Sequence, residues 1–156
     1  MKAPHEVIKQ ARDSATSLKK SNEVIMSIAA IVESIQGADI SKMEVSELES
    51  LAFEISGYMF TLSGQLNKAN LEYNARYTYR KIRGAELYFE VEAKTSAARE
   101  RLAEKQNQDN YLDELISNYY ADVIKHLHRD CERIVSLLQS VMSNRRAEAS
   151  KTSVQT

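Results

Sequence analysis

Apolar residues recur along this chain at helical spacing, and the pattern divides it into three stretches. Val7, Ile8, Ala11, Ala15 and Leu18 begin the series just after Pro4, whose missing N–H suits a first helical turn. Ser21-Asn22 marks a break or a fresh cap. Ile25, Ile28, Ala29, Val32 and Ile35 then form a stronger stripe that stops at Gly37, a residue suited to ending a helix. Residues 38–45 read as a connection. Ser46-Glu47-Leu48-Glu49 reads as a capping box, the Ser46 hydroxyl taking an orphan N–H and Glu49 reaching back. Leu48, Leu51, Ile55, Tyr58 and Leu62 follow in steps of three and four, as along a coiled-coil seam. The pattern predicts a helix to about Lys105, with Gly57, Gly64 and Gly84 as places where it bends or divides.

"EKQNQDN", residues 104–110, is polar and turn-rich, so the chain is expected to reverse near 105–110. A last helix is predicted over about 111–149. Ile124, Leu127, Cys131, Ile134, Leu138 and Val141 give it a seam with steps 3, 4, 3, 4, 3. The predicted fold is all-α: an N-terminal helical segment over 1–37, an elongated antiparallel helical hairpin over 46–149, and a disordered tail over 150–156. One seam per helix buries little within a single chain. Assembly into a homo-oligomer is therefore expected, through the first-segment stripe or the last helix.

Composition agrees with long helices. Four glycines and one proline in 156 residues leave few breakers, against a β fold with many turns. The single cysteine, Cys131, excludes an internal disulfide and fits a reducing compartment. The N-terminus has no apolar signal core, and no apolar run approaches a membrane span. These features lead to an expectation of a cytoplasmic protein without membrane partners.

The net charge of −1 gives no global pull toward nucleic acid; the local distribution does. No acid stands between Tyr73 and Ala85, where "NARYTYRKIRG" sets two tyrosines among four basic side chains. On a helix Tyr73, Arg76, Arg80 and Arg83 share one face, with Tyr77, Lys81 and Tyr88 beside them. Such a face neutralises phosphates while its tyrosines stack on unpaired bases, which suits single strands and weakens with salt. The alternative is structural. Tyrosines fill the seam between paired helices, and arginines line its rim, paired with acids such as Asp122 or Asp130.

"KHLHRDCER", residues 125–133, gathers His126, His128 and Cys131. The two histidines are two residues apart and diverge on a helix, and Cys131 lies on the seam, so no metal site is expected and a buried structural cysteine is. Lys125, Arg129 and Arg133, four apart, extend a positive surface or are simply solvated. No phosphate loop, GxSxG or HExxH motif is present. No catalytic residue and no cofactor are expected, and the chain is not read as an enzyme.

The order of these features resembles the recombination mediator proteins of phages, the UvsY-like family of T-even type. Ala75-Arg76-Tyr77 lies where that family has Lys-Ala-Arg followed by tyrosine, with Asn74 in place of the lysine. Cys131-Glu132-Arg133-Ile134-Val135-Ser136-Leu137-Leu138-Gln139-Ser140 is similar to its C-terminal run. There Gln139 stands in place of a lysine, and Val141 in place of an arginine. Arg145-Arg146-Ala147-Glu148-Ala149 resembles its end. The resemblance covers residues 65–149.

It implies a non-enzymatic protein that binds single-stranded DNA and assembles into rings of six or more. Such a protein helps a RecA-like recombinase load onto strands covered by a single-strand-binding protein, in the host cytoplasm if phage-encoded. By position only Arg76 matches a motif residue expected to touch DNA. Tyr73, Tyr77, Arg80, Lys81 and Arg83 join it on the charge argument. The competing expectation is a coiled-coil module with a protein partner, a phage scaffold, adaptor or inhibitor, with no role at nucleic acid.

Overall fold

The computed structural model describes residues 22–153. The predictions resting on Pro4 to Leu18 lie outside the described residues. Four helices occur among the described residues: α1 over 22–36, α2 Val45–Glu90, α3 Ser96–Gln106 and α4 Gln108–Ser153. A short 3-10 turn, Ile40–Lys42, links α1 to α2. The fold is all-α, and the two long helices pack against each other as a helical hairpin. No helix among the described residues is long and apolar enough to cross a membrane.

Two compact units divide the chain: the N-terminal part through Leu62 with Leu127 onward, and Ser63–His126. In the first, the predicted stripes become core. Ile25, Ile28, Val32 and Ile35 of α1 are buried, with Leu48, Ile55 and Leu62 of α2 and Leu127, Cys131, Ile134 and Leu138 of α4. The α4 seam, read as a surface for packing or for assembly, is packed within one chain at these side chains. Its last predicted member, Val141, is only half-buried, and Met142 takes its place. A straight helix turns every 3.6 residues, so a strict 3.5 repeat drifts off the buried face.

The same unit corrects the start of α2. Glu44, not Ser46, stands at the cap: its backbone N–H donates to Glu47 Oε2 at 2.7 Å, and its carbonyl accepts the Leu48 N–H at 3.0 Å. Glu47 therefore performs the reach-back predicted for Glu49. Glu49 instead accepts a hydrogen bond from Arg146. Arg145 turns its guanidinium onto three carbonyls of the α1–α2 connection, those of Ile40, Ser41 and Met43. α4 also stays helical to Ser153, through residues 150–153 of the predicted disordered tail, the rest of which lies outside the described residues.

The second unit, Ser63–His126, holds the reversal. α2 runs through Gly57, Gly64 and Gly84 unbroken and ends at Glu90, well before Lys105. Thr95 then caps α3, its Oγ1 accepting the Ala98 N–H at 3.2 Å. Leu87, Val91 and Ala103 pack together there, with Tyr88 against them. The predicted turn near 105–110 is a single residue, Asn107, which ends α3 and starts α4. Its N–H donates to the Ala103 and Glu104 carbonyls, and its own carbonyl accepts the Tyr111 N–H. Its side chain donates to the Arg80 carbonyl at 2.9 Å and accepts from Asn110 at 2.8 Å. Gly84 makes room for that contact: a Cβ there would stand 3.0 Å from Asn107 Nδ2.

Candidate nucleic-acid interface

All six residues of the predicted basic-aromatic face lie on α2 within the Ser63–His126 unit. The structure spends the three arginines on carboxylates. Arg76 donates to Glu72 on its own helix and to Asp113 on α4, both at 2.9 Å. Arg80 pairs with Glu114, which is only 7 % exposed. Arg83 pairs with Glu86 at 3.0 Å and Glu90 at 2.9 Å. Those two carboxylates, Glu90 foremost, raise its pKa further and lock its charge on. The expected cross-hairpin partners Asp122 and Asp130 are not used; Asp130 pairs with Arg133 on its own helix at 3.4 Å. The reason is register. A helix unbroken to Lys105 would set Arg80 opposite the middle of α4, whereas the break after Glu90 brings it opposite Glu114.

The buried positions of α2 and α4 in this unit mix polar side chains with apolar ones, Ile124 fully buried among them. Asn107, Glu114 and Ser117 are buried along with Ala69 and Ala121. Glu114 is nearly enclosed, a placement that is costly for a carboxylate unless it is paired, and Arg80 is its partner. Arg80 therefore stabilises the fold whatever else it does.

Beside the paired arginines the tyrosines make an open stack. The Arg80 guanidinium lies 5.8 Å from the Tyr77 ring centre and 5.4 Å from that of Tyr111, and the Lys81 ammonium lies 5.5 Å from Tyr77, all within cation–π range. Tyr77 and Tyr111 are both exposed, whereas Tyr73, 6.3 Å from Tyr77, is half-buried. Arg80 and Tyr111 also line a hollow of about 500 Å³ with Arg101, Glu104, Lys105, Asn107 and Gln108. Arg101 and Lys105 are i and i+4 on α3 and so share one face. Among the described residues no carboxylate is ion-paired with Lys81, Arg101 or Lys105. Of these three cations, Lys81 lies in the basic stretch that the sequence pattern emphasised, whereas Arg101 and Lys105 lie outside it. Arg101, Lys105 and Tyr111 were missed because they lie beyond the basic stretch in sequence and reach it only through the reversal. The i, i+4 basic pair on a short helix was the available signal.

Elsewhere the chemistry is quiet. His126 Nδ1 lies 2.7 Å from the Asp122 carbonyl, and His128 Nδ1 lies 3.6 Å from Glu132. Cys131 is fully buried, and burial, helped by the Asp130 charge, pushes its thiol up to about 11. Among the described residues no group of three or more His, Cys, Asp or Glu is placed to hold a metal ion. Comparison with family models, with curated proteins and with solved structures finds no match.

Proposed function

We propose that this chain is a non-enzymatic protein that binds single-stranded DNA, acting as a recombination mediator of the kind it resembles. In that role it would help a RecA-like recombinase load onto strands held by a single-strand-binding protein, and self-association would multiply a weak site by avidity. One observation carries the reading: among the described residues Lys81, Arg101 and Lys105 are ion-paired with no carboxylate, Lys81 lies against exposed Tyr77, and Arg101, Lys105 and exposed Tyr111 line a hollow of about 500 Å³ together with Glu104. Cations tracking a backbone and rings offered for stacking are what sequence-tolerant single-strand binding requires. Lys81, Arg101 and Lys105 take the phosphates, and Tyr77 and Tyr111 offer ring faces to bases. Arg80 lies within cation–π reach of both rings, while Arg76 and Arg83 are held by the acids of their own helix and of α4.

The test is fluorescence anisotropy of a labelled single-stranded oligonucleotide. Lys81→Ala/Arg101→Ala/Lys105→Ala should bind at least tenfold more weakly than the native chain. Arg76→Ala/Arg83→Ala should bind within about threefold of it, a difference under 1 kcal/mol. Equal loss in both variants would return the site to the α2 face, and no binding by the native chain at low salt would remove the reading.

A second reading has its own support. The ion pairs Arg76–Asp113 and Arg80–Glu114 make the basic face a packed helix–helix rim, as a protein–protein interaction module needs and a DNA grip does not. In that case neither variant binds the oligonucleotide, and the binding partner is a protein.

A further inference from the structure

The hollow beside the chain reversal contains one group that a phosphate grip does not need. Glu104 stands on α3 three residues after Arg101 and directly before Lys105, so the three share one helix face. Its side chain is exposed, and among the described residues it makes no hydrogen bond or ion pair. Gln108, on the other side of Asn107, opens α4 and lines the same hollow with its amide likewise unengaged. Tyr111 lies one turn further along α4, 46 % exposed, and completes this side of the hollow.

An acid set among cations weakens their hold on phosphate, because like charges repel at short range. It is of use only toward a group that donates hydrogen bonds. A carboxylate is acceptor-only, with two oxygens side by side. Unpaired bases are recognised by stacking on aromatic rings and by hydrogen bonds to their Watson–Crick edges. Among the four DNA bases only guanine presents two adjacent donors on that edge, N1–H and the N2 amine. Cytosine and adenine present one amine beside an acceptor nitrogen, and thymine presents one N–H between two carbonyl oxygens. Guanine O6, next to N1, then calls for a donor, and the Gln108 amide is one. The volume of about 500 Å³ falls within the range of about 300–1,000 Å³ usual for small-molecule sites.

We infer that this hollow takes an unpaired guanine, read by Glu104 and Gln108 and stacked on Tyr111. The inference rests on the strand-binding reading above and deepens it by naming the base. Arg101 and Lys105 keep the phosphates, Tyr77 offers a ring to any base, and Glu104 makes the position at Tyr111 selective.

The experiment is fluorescence anisotropy of the full chain at low salt with a labelled all-thymidine oligonucleotide. Versions of it carry one central guanine, adenine, cytosine or hypoxanthine. The native chain should bind the guanine strand about fivefold or more tightly than the thymidine strand, the low end of what a good bidentate pair contributes. Hypoxanthine keeps N1–H and lacks the N2 amine, so it should lose most of that preference. Glu104→Gln puts an amide NH2 where the guanine amine donates, and the guanine strand should then bind like the others. Circular dichroism checks that the variant stays helical, as expected for an exposed side chain that holds no partner. A native chain that binds every strand alike overturns the inference and leaves the strand-binding reading standing. A guanine preference that survives Glu104→Gln, or that hypoxanthine reproduces in full, overturns it as well. No binding of any strand overturns both.

Discussion

Asn107 shows how much one side chain does here. It is buried, it closes two helices, and its amide reaches the Arg80 carbonyl on α2. Asn107→Leu strands those partners, and an unsatisfied buried group costs about 1–3 kcal/mol, so denaturant midpoints should fall accordingly. The glycines of α2 separate cleanly by the same logic. A Cβ at Gly57 meets nothing within 4 Å, so Gly57→Ala should raise stability by about 1 kcal/mol through helix propensity. Gly84→Val, pressed against Asn107, should lower it. Denaturation of both variants settles the contrast. Cys131 gives a third residue-scale result. With its thiol pushed up to about 11, it should resist alkylation at neutral pH until the chain unfolds. The sign of the linkage follows: the raised pKa contributes stability below the thiol's ordinary value, and that contribution is lost as pH climbs toward 11. Cys131→Ala should flatten that part of the stability profile.

At the scale of elements, the helices were legible wherever a stripe became core. Ile25, Ile28, Val32 and Ile35, and Leu48, Ile55 and Leu62, read correctly because burial of one face is what helical periodicity records. The break at 91–95 was not legible. It carries no glycine or proline, and Thr95 announces a cap only once α3 folds back on Leu87 and Val91. The α4 seam was read as apolar, a surface for packing or for assembly, since periodicity marks a buried face without saying what buries it. In the candidate site, Tyr77 and Lys81 lay in the visible stretch. The acids that take up Arg76 and Arg80 came from α4, and sequence distance hid them. Arg145 belongs to this scale too. Arg145→Lys cannot reach three carbonyls of the α1–α2 connection with a single ammonium. It should lower the thermal midpoint by several degrees, in line with about 1–2 kcal/mol for lost charged hydrogen bonds.

For the whole molecule, the proposed strand-binding surface is the cation–tyrosine cluster of the Ser63–His126 unit. Local concentration of charge matters more than its total, so a net charge of −1 is compatible with a local polyanion site. The most direct measurement of the central claim is the salt dependence of single-strand affinity for the native chain and for Lys81→Ala/Arg101→Ala/Lys105→Ala. Each phosphate contact on a single strand contributes about −0.7 to the slope of log affinity against log salt. Three cations per site predict a slope near −2, collapsing toward zero in the variant. A native slope near zero, or one the variant leaves unchanged, would contradict the account and assign these side chains to a solvated helix surface.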